Sequence, residues 1–254
     1  MRLFGLIGYP LSHSFSAKYF TNKFADEKIL DAQYKLFPIE NISEVITLID
    51  NNLELQGFNV TIPYKKSIIP FLSGMSIEAQ YIGAVNTVKI IRKENNIELY
   101  GFNTDVIGFQ ESLLPIVGNR INALILGTGG SALAVAYVLK KLNISYYFVS
   151  RKLNNNNILY SNLTKDIIEK CTLIINTTPM GMNPNNDSFA NIPYQYLFNE
   201  HLLFDLVYNP TETRFMKKGI EMGAKVKNGM EMLEKQADAA WKIWQDRNMV
   251  KGAR

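Results

Sequence analysis

Residues 124–135 read LILGTGGSALAV, and they place Gly127, Gly129 and Gly130 directly between an apolar, strand-like run and a run with helical spacing. Glycines at such a junction let the backbone approach a pyrophosphate, and the first amides of the helix, with the positive end of its dipole, face the anion. The full G-x-G-x-x-G spacing is not met, because Ala132 and Leu133 follow, although Ala134 is small enough for close packing. A tight turn with no ligand is the plainer alternative. The strand–turn–helix context favours a dinucleotide.

Outward from this turn the pattern repeats. INALIL (121–126), SYYFVS (145–150), TLIINTT (172–178) and LLFDLVY (202–208) read as buried strands, with a helix expected over 131–142. Continuous apolar runs alternating with helices predict a parallel sheet covered on both faces. The strand 145–150 ends in Ser150, Arg151 and Lys152, with no acid nearby. An acid would bind a ribose 2′-hydroxyl, whereas cations suit a 2′-phosphate, so the segment favours NADP over NAD. A surface arginine is the alternative.

The first hundred residues form an α/β unit of their own. Strands are expected at 3–7, 34–37 and 57–62, helices at 16–25 and 42–51, and a hairpin of 84–91 with 97–102 around KENN. A helix over 104–117 follows, capped by Asn103 or Thr104, with a hinge near residue 104. The last stretch, MEMLEKQADAAWKIWQ (230–245), places Met232, Leu233, Ala237, Ala240, Trp241 and Trp244 at helical spacing and is expected to return to the first domain. The expected domains are therefore 1–103, completed by 230–254, and 104–229.

Composition narrows the function. The 254 residues are 47% hydrophobic and 20% charged, an ordinary globular balance. Lys and Arg number 27 against 23 Asp and Glu, a net charge of +4 without a basic block, which argues against nucleic acid and suits small anionic ligands. Cys171 is the single cysteine, so no internal disulfide or zinc site is expected, and a cytoplasmic location fits. No apolar run approaches the roughly 20 residues of a membrane helix. The protein is expected to be soluble and unexported, with no metal, as a monomer or homodimer.

Several polar residues interrupt this apolar framework. NVTIPYKKS (59–67) runs a β-branched strand into a proline and two lysines, where a lysine beside a polar cleft could deliver a proton. GYPLSHSFS (8–16) sets Ser12, Ser14 and Ser16 where a helix begins, as caps or as hydroxyl ligands for a carboxylate or polyol. Asn86 breaks an apolar strand and its amide needs a partner, while Asp105 sits at a helix start that favours an acid. Each taken singly has a structural explanation.

Taken in order, the blocks SHSFS, NVTIPYK, IGAVNTV, NTDVIGF, GTGGSA, SRK, NTTPMGM, DLVYNP and GMEMLEKQA resemble the shikimate dehydrogenase family along nearly the whole chain. The resemblance implies an N-terminal α/β substrate domain and a Rossmann-like parallel-sheet NADP domain, with the C-terminal helix returning to the first. It implies reduction of 3-dehydroshikimate to shikimate with NADPH, in a cleft between domains, within aromatic amino acid biosynthesis. Lys65 and Asp105 match the catalytic pair. Ser14 and Ser16 match the serines on the shikimate carboxylate; Thr61, Asn86 and Gln236 match positions that contact its hydroxyls or ring substituents, and Tyr208 a substrate-contacting tyrosine. Gly127, Thr128, Gly129, Gly130 and Ser131, with Ser150, Arg151 and Lys152 in the 150–155 segment, match the NADP loops. Thr178 lies in the matching NTTPMGM block, and Leu206 and Gly229 fall where the nicotinamide lies.

The chain departs from the family pattern at Leu133, where a base is common, at Ser150, where asparagine is usual, and at Asn154, which replaces a further base. It also lacks the proline and histidine often found after the second serine. These departures bear on cofactor selectivity more than on the reaction. A quinate/shikimate dehydrogenase with relaxed substrate or cofactor choice, and a non-catalytic shikimate or NADP sensor, are the rival expectations.

Overall fold

A computed structural model describes residues 1–11, 15–94, 96–152, 157–246 and 248. The chain divides into two compact units, Met1–Ile107 with Gln236–Arg254, and Gly108–Lys235. The crossings fall between residues 107 and 108 and between residues 235 and 236.

In the first unit the chain runs β1 (Arg2–Gly8), α1 (Phe15–Asp26), β2 (Ala32–Pro38), α2 (Glu44–Asn51), β3 (Leu55–Val60), β4 (Gly74–Met75), α3 (Ile77–Ile82), β5 (Thr87–Lys93) and β6 (Asn96–Phe102). The sheet order is β2-β1-β3-β5-β6-β4. β1 pairs parallel with β2 and β3, whereas β5 pairs antiparallel with both β3 and β6, which makes the expected hairpin. The helix α4 (Asp105–Leu113) then crosses into the second unit. It stops short of the expected residue 117 because Pro115 disfavours helical geometry in the residue before it.

The second unit holds β7 (Asn122–Leu126), α5 (Gly130–Lys141), β8 (Ser145–Ser150), β9 (Asn157–Leu159), α6 (Lys165–Lys170), β10 (Leu173–Asn176), β11 (Leu202–Asp205), α7 (Arg214–Glu221) and β12 (Lys225–Lys227). Its sheet is wholly parallel, in the order β12-β11-β10-β7-β8-β9. The central strands β7, β10 and β11 are buried nearly throughout, as the apolar runs require. The edge strands β9 and β12 and the short helices α3, α6 and α7 were not legible as separate elements in the sequence pattern.

The last helix, α8 (Met230–Gln245), crosses back, and from Gln236 onward it belongs to the first unit. There Ala237, Ala240, Ile243 and Trp244 pack with Phe4, Phe20, Phe24 and Tyr34. The Trp244 ring stacks on Phe4 with centroids 4.9 Å apart, and its indole Nε1 donates to the Val88 carbonyl at 3.0 Å. Lys89, buried on β5, donates its ammonium to the carbonyls of Ile243, Trp244 and Asp246 at 2.8, 3.2 and 2.5 Å. A cation is favoured at those last carbonyls by the helix dipole, so β5 fastens the end of α8.

A buried histidine ties the second unit together. His201 has no exposed surface; its Nδ1 accepts from the Phe198 amide at 3.1 Å, which leaves the proton on Nε2 to donate to the Ile168 carbonyl at 2.9 Å. Burial, the largest influence, holds the imidazole below its usual pKa. Its stabilising contribution is therefore present above the unfolded value of about 6.5 and lost as pH falls through the folded one. Denaturant unfolding between pH 7.5 and pH 5 should show wild-type stability declining more steeply than that of His201→Gln, by at most about tenfold in the folding constant per pH unit for one proton. Parallel pH profiles for the two proteins would remove His201 as the acid-sensitive group.

Candidate active site

β3 delivers Asn59 in its last turn of strand, and the chain then folds back through Thr61, whose amide donates to the Ile7 carbonyl, and Tyr64, whose amide donates to Thr61. This turn places Lys65 beside the loop before β5, where the Val85 amide donates to the Lys65 carbonyl at 2.7 Å. The Lys65 ammonium lies 2.5 Å from Asp105 Oδ2, with the two side chains 17% and 9% exposed. That exposure leaves the pair mostly withdrawn from solvent yet reachable by a ligand.

The rest of the cluster satisfies this ion pair. Asn86 Nδ2 donates to Asp105 Oδ1 at 2.9 Å, and Asn86 Oδ1 accepts from the Thr104 amide at 2.7 Å and its hydroxyl at 3.1 Å. Gln236 Oε1 accepts from the same Thr104 hydroxyl at 3.2 Å. Asp105 opens α4, where the helix dipole favours its charge. Asn103, one of the two expected cap residues, is not used as a cap, however. Asn103 Oδ1 accepts no hydrogen bond, and the Thr104 hydroxyl is spent on Asn86, Thr87 and Gln236.

Of the residues singled out in the sequence, Lys65, Asn86, Asp105 and Gln236 thus meet in one hydrogen-bonded group. Behind that group the buried Tyr34 hydroxyl donates to Asn59 Oδ1 at 2.8 Å, and Asn59 Nδ2 donates to the Thr87 hydroxyl at 3.1 Å and the Asn86 carbonyl at 3.2 Å; Ser16 stands in the first turn of α1. Burial pushes the Tyr34 hydroxyl far above its ordinary pKa, so it stays a donor. Thr61 lies two residues past Asn59, its methyl against Gly8, where a side chain would have no room. Ser14, with Ser12 and His13, lies outside the described residues.

In the second unit the glycine turn joins β7 to α5. Gly127 has φ +110°, a conformation L side chains rarely adopt, and a Cβ there would stand 2.8 Å from Thr177 Oγ1. Gly129 precedes α5 without any side-chain cap, and a Cβ built on it would meet open space. Gly130 and Ser131 begin the twelve-residue helix. Together these residues fit a pyrophosphate held on helix amides. At the end of β8, Ser150 Oγ accepts the Lys152 amide at 3.3 Å, leaving the Arg151 and Lys152 side chains exposed for a phosphate. Residues 153–156, including Asn154, lie outside the described set. Thr178 and Leu206 are tied to Asn176 by hydrogen bonds, the Gly229 amide donates to the Val207 carbonyl at 3.1 Å, and Tyr208 is half-buried three residues past β11. Thr128 sits within the turn between Gly127 and Gly129.

These two constellations can be compared with known proteins. The family model for the shikimate dehydrogenase substrate binding domain matches residues 6–88. A relative from Clostridium beijerinckii named shikimate dehydrogenase (NADP(+)) is 42% identical, over 97% of this chain and 93% of its own. The chain belongs to the shikimate dehydrogenase family. Among solved structures, shikimate dehydrogenase 1 from Peptoclostridium difficile is 38% identical with a TM-score of 0.82, covering 99% of this chain and 95% of its own. The Thermus thermophilus shikimate 5-dehydrogenase, in complex with NADP(H) and shikimate, is 28% identical with a TM-score of 0.82, covering 96% and 94%. The fold is accordingly the family's α/β architecture with a Rossmann-like parallel sheet.

Among the described residues no group of three His, Cys, Asp or Glu side chains could hold a metal ion, and no helix is long and apolar enough to cross a membrane. The sequence did not mark Tyr34, Asn59 or Thr87 as part of a site, and Thr104 stood out only as a candidate helix cap. Asn59 did carry a signal, since an asparagine inside an apolar strand demands a partner. Asn59→Ala would strand the Tyr34 hydroxyl and cost about 2 kcal/mol of stability, measured by urea unfolding. A loss below about 0.5 kcal/mol would show that the chain through Asn59 carries little energy.

Proposed function

We propose that this chain is an NADP-dependent shikimate dehydrogenase that reduces 3-dehydroshikimate to shikimate. The observation that carries the reading is the Lys65–Asp105 pair held in a buried amide and hydroxyl network, in a chain of this family. NADPH supplies the hydride. Reduction of the ketone develops alkoxide character, and Lys65 Nζ, positioned by Asp105, donates the proton that quenches it. Microscopic reversibility makes Lys65 the proton acceptor when shikimate is oxidised.

The remaining roles follow from chemistry and placement. Asn86, Gln236 and Thr61 bind the substrate hydroxyls, Ser14 and Ser16 the carboxylate, and Tyr208 contacts the substrate. The unit containing residues 1–107 and 236–254 binds the substrate. The unit 108–235 binds NADP, with residues 127–131 on the pyrophosphate and Arg151 and Lys152 on the 2′-phosphate. Leu206 and Gly229 border the nicotinamide, and Thr178 belongs to the cofactor site. A buried, unpaired Cys171 is compatible with work in the cytoplasm.

The direct assay follows absorbance at the reduced-nicotinamide band with shikimate and either NADP or NAD. Formation of NADPH, lowered at least a hundredfold in kcat by Lys65→Ala with folding intact, is the expected result. No reduction of either cofactor by folded wild-type protein would overturn the reading. Replacing both Arg151 and Lys152 by alanine should raise KM for NADP by about tenfold, with KM for NAD nearly unchanged. An equal change with both cofactors would take the 2′-phosphate away from these two cations.

A further inference from the structure

A second buried polar group lies at the carboxyl ends of β10 and β11, where Asn176 and Asp205 stand opposite each other in register with no exposed surface. Asp205 Oδ1 accepts from Asn176 Nδ2 at 2.9 Å and from the Val207 amide at 3.0 Å. Its Oδ2 accepts from the Thr213 hydroxyl at 2.6 Å, and that hydroxyl in turn accepts the Met216 amide and caps α7. Asn176 extends the group. Its Oδ1 accepts the Thr178 amide at 3.1 Å and hydroxyl at 2.6 Å, and its carbonyl accepts the Leu206 amide at 2.9 Å.

Every donor that reaches this carboxylate therefore belongs to a segment bordering the cofactor side of the sheet. Thr177 and Thr178 form the wall against which Gly127 packs so closely that a Cβ would not fit. Gly181, at φ +87°, brings the same loop against Thr213. Val207, which donates to Asp205, accepts the Gly229 amide. The glycine turn, the 177–181 turn, the 206–208 segment and Gly229 are all connected through Asn176 and Asp205.

The choice of a carboxylate here is costly to the fold. Burial, acting against the three hydrogen bonds, pushes its pKa up to about 6, and no basic side chain among the described residues pairs with it. An uncompensated buried charge weakens the native state, and an amide of the same size would avoid that charge. What the ionised group supplies instead is two acceptor oxygens that only draw donors inward, which fixes the direction of each loop.

We propose that Asp205 is a positioning residue for NADP: acting through Asn176, Val207 and Thr213, it presets the loops that receive the nicotinamide half of the cofactor. This inference rests on the dehydrogenase reading above, and it adds three side chains, Asn176, Asp205 and Thr213, to the cofactor machinery. None of them need touch the ligand.

The test uses the whole 254-residue chain. NADP affinity is measured by calorimetry, steady-state constants by the absorbance assay, and the melting midpoint at pH 8. Asp205→Asn preserves volume and removes the charge. Its NADP dissociation constant and KM are expected to rise about tenfold and kcat to fall, while KM for shikimate moves less than twofold. The melting midpoint should stay level or rise, which a merely structural residue would not show. Thr213→Val, which withdraws one donor together with the α7 cap and leaves the carboxylate, should weaken NADP in the same direction by a smaller factor, yet by more than its lower melting midpoint accounts for, and it decides the matter if Asp205→Asn does not fold. Wild-type NADP affinity in Asp205→Asn, or in Thr213→Val should the first variant fail, overturns the inference. So does weaker NADP binding that merely tracks a lower melting midpoint. Wild-type protein that binds NADP but oxidises no shikimate sinks the dehydrogenase reading, and calorimetry on the variants still judges Asp205. Wild-type protein that binds no NADP overturns both.

Discussion

The ion pair between Lys65 and Asp105 sets the terms for the first unit. A charge pair withdrawn from water is tolerable only when its remaining lone pairs and protons find partners. Asp105 has a second oxygen, so Asn86 must turn its amide toward it; the far side of that amide then needs donors, and Thr104 supplies two. Gln236 Oε1, 132 residues away, shares the Thr104 hydroxyl proton with Asn86. The requirement passes from group to group until the C-terminal helix is drawn in. Its apolar face on Phe4 and Phe20 and the Lys89 clamp on its last carbonyls keep it there.

The parts of the fold that sequence pattern revealed are those where burial on both faces leaves no choice of residue. INALIL, TLIINTT and LLFDLVY are the central strands β7, β10 and β11, and their apolar runs announce a parallel sheet. The flanks are different. β12, with sequence KVK, and β9, with sequence NIL, are held by backbone pairing to one neighbour, so few of their side chains are constrained. The helix α6, KDIIEK, covers less than two turns and shows no full period.

The site divides along a similar line. Lys65 and Asp105 stood out through the blocks around them, because a lysine and an aspartate at the ends of apolar segments are conspicuous. Tyr34, Thr87 and Thr104 are unremarkable in sequence, since tyrosine and threonine are at home in strands and helix starts. Their meaning lies in partners 25 and 28 positions from Asn59, or 17 between the two threonines, and spacing of that kind has no local signature.

Both units set buried side-chain polarity where strands end, for one reason. Where the ladder stops, the next amides and carbonyls lose their strand partners, and side chains must organise the loops that follow. The two solutions differ in charge. Asp105 is matched by Lys65, so its ionisation is compensated within the cluster. Asp205 draws only on an amide, a hydroxyl and a backbone N–H, and its carboxyl is pushed up to about 6. A shift of that size corresponds to a cost of a few kcal/mol when the group is ionised. A chain selected for stability alone has no reason to keep it. Loops that must hold one conformation before a large anionic ligand arrives do have a reason, because order established during folding is not charged against binding.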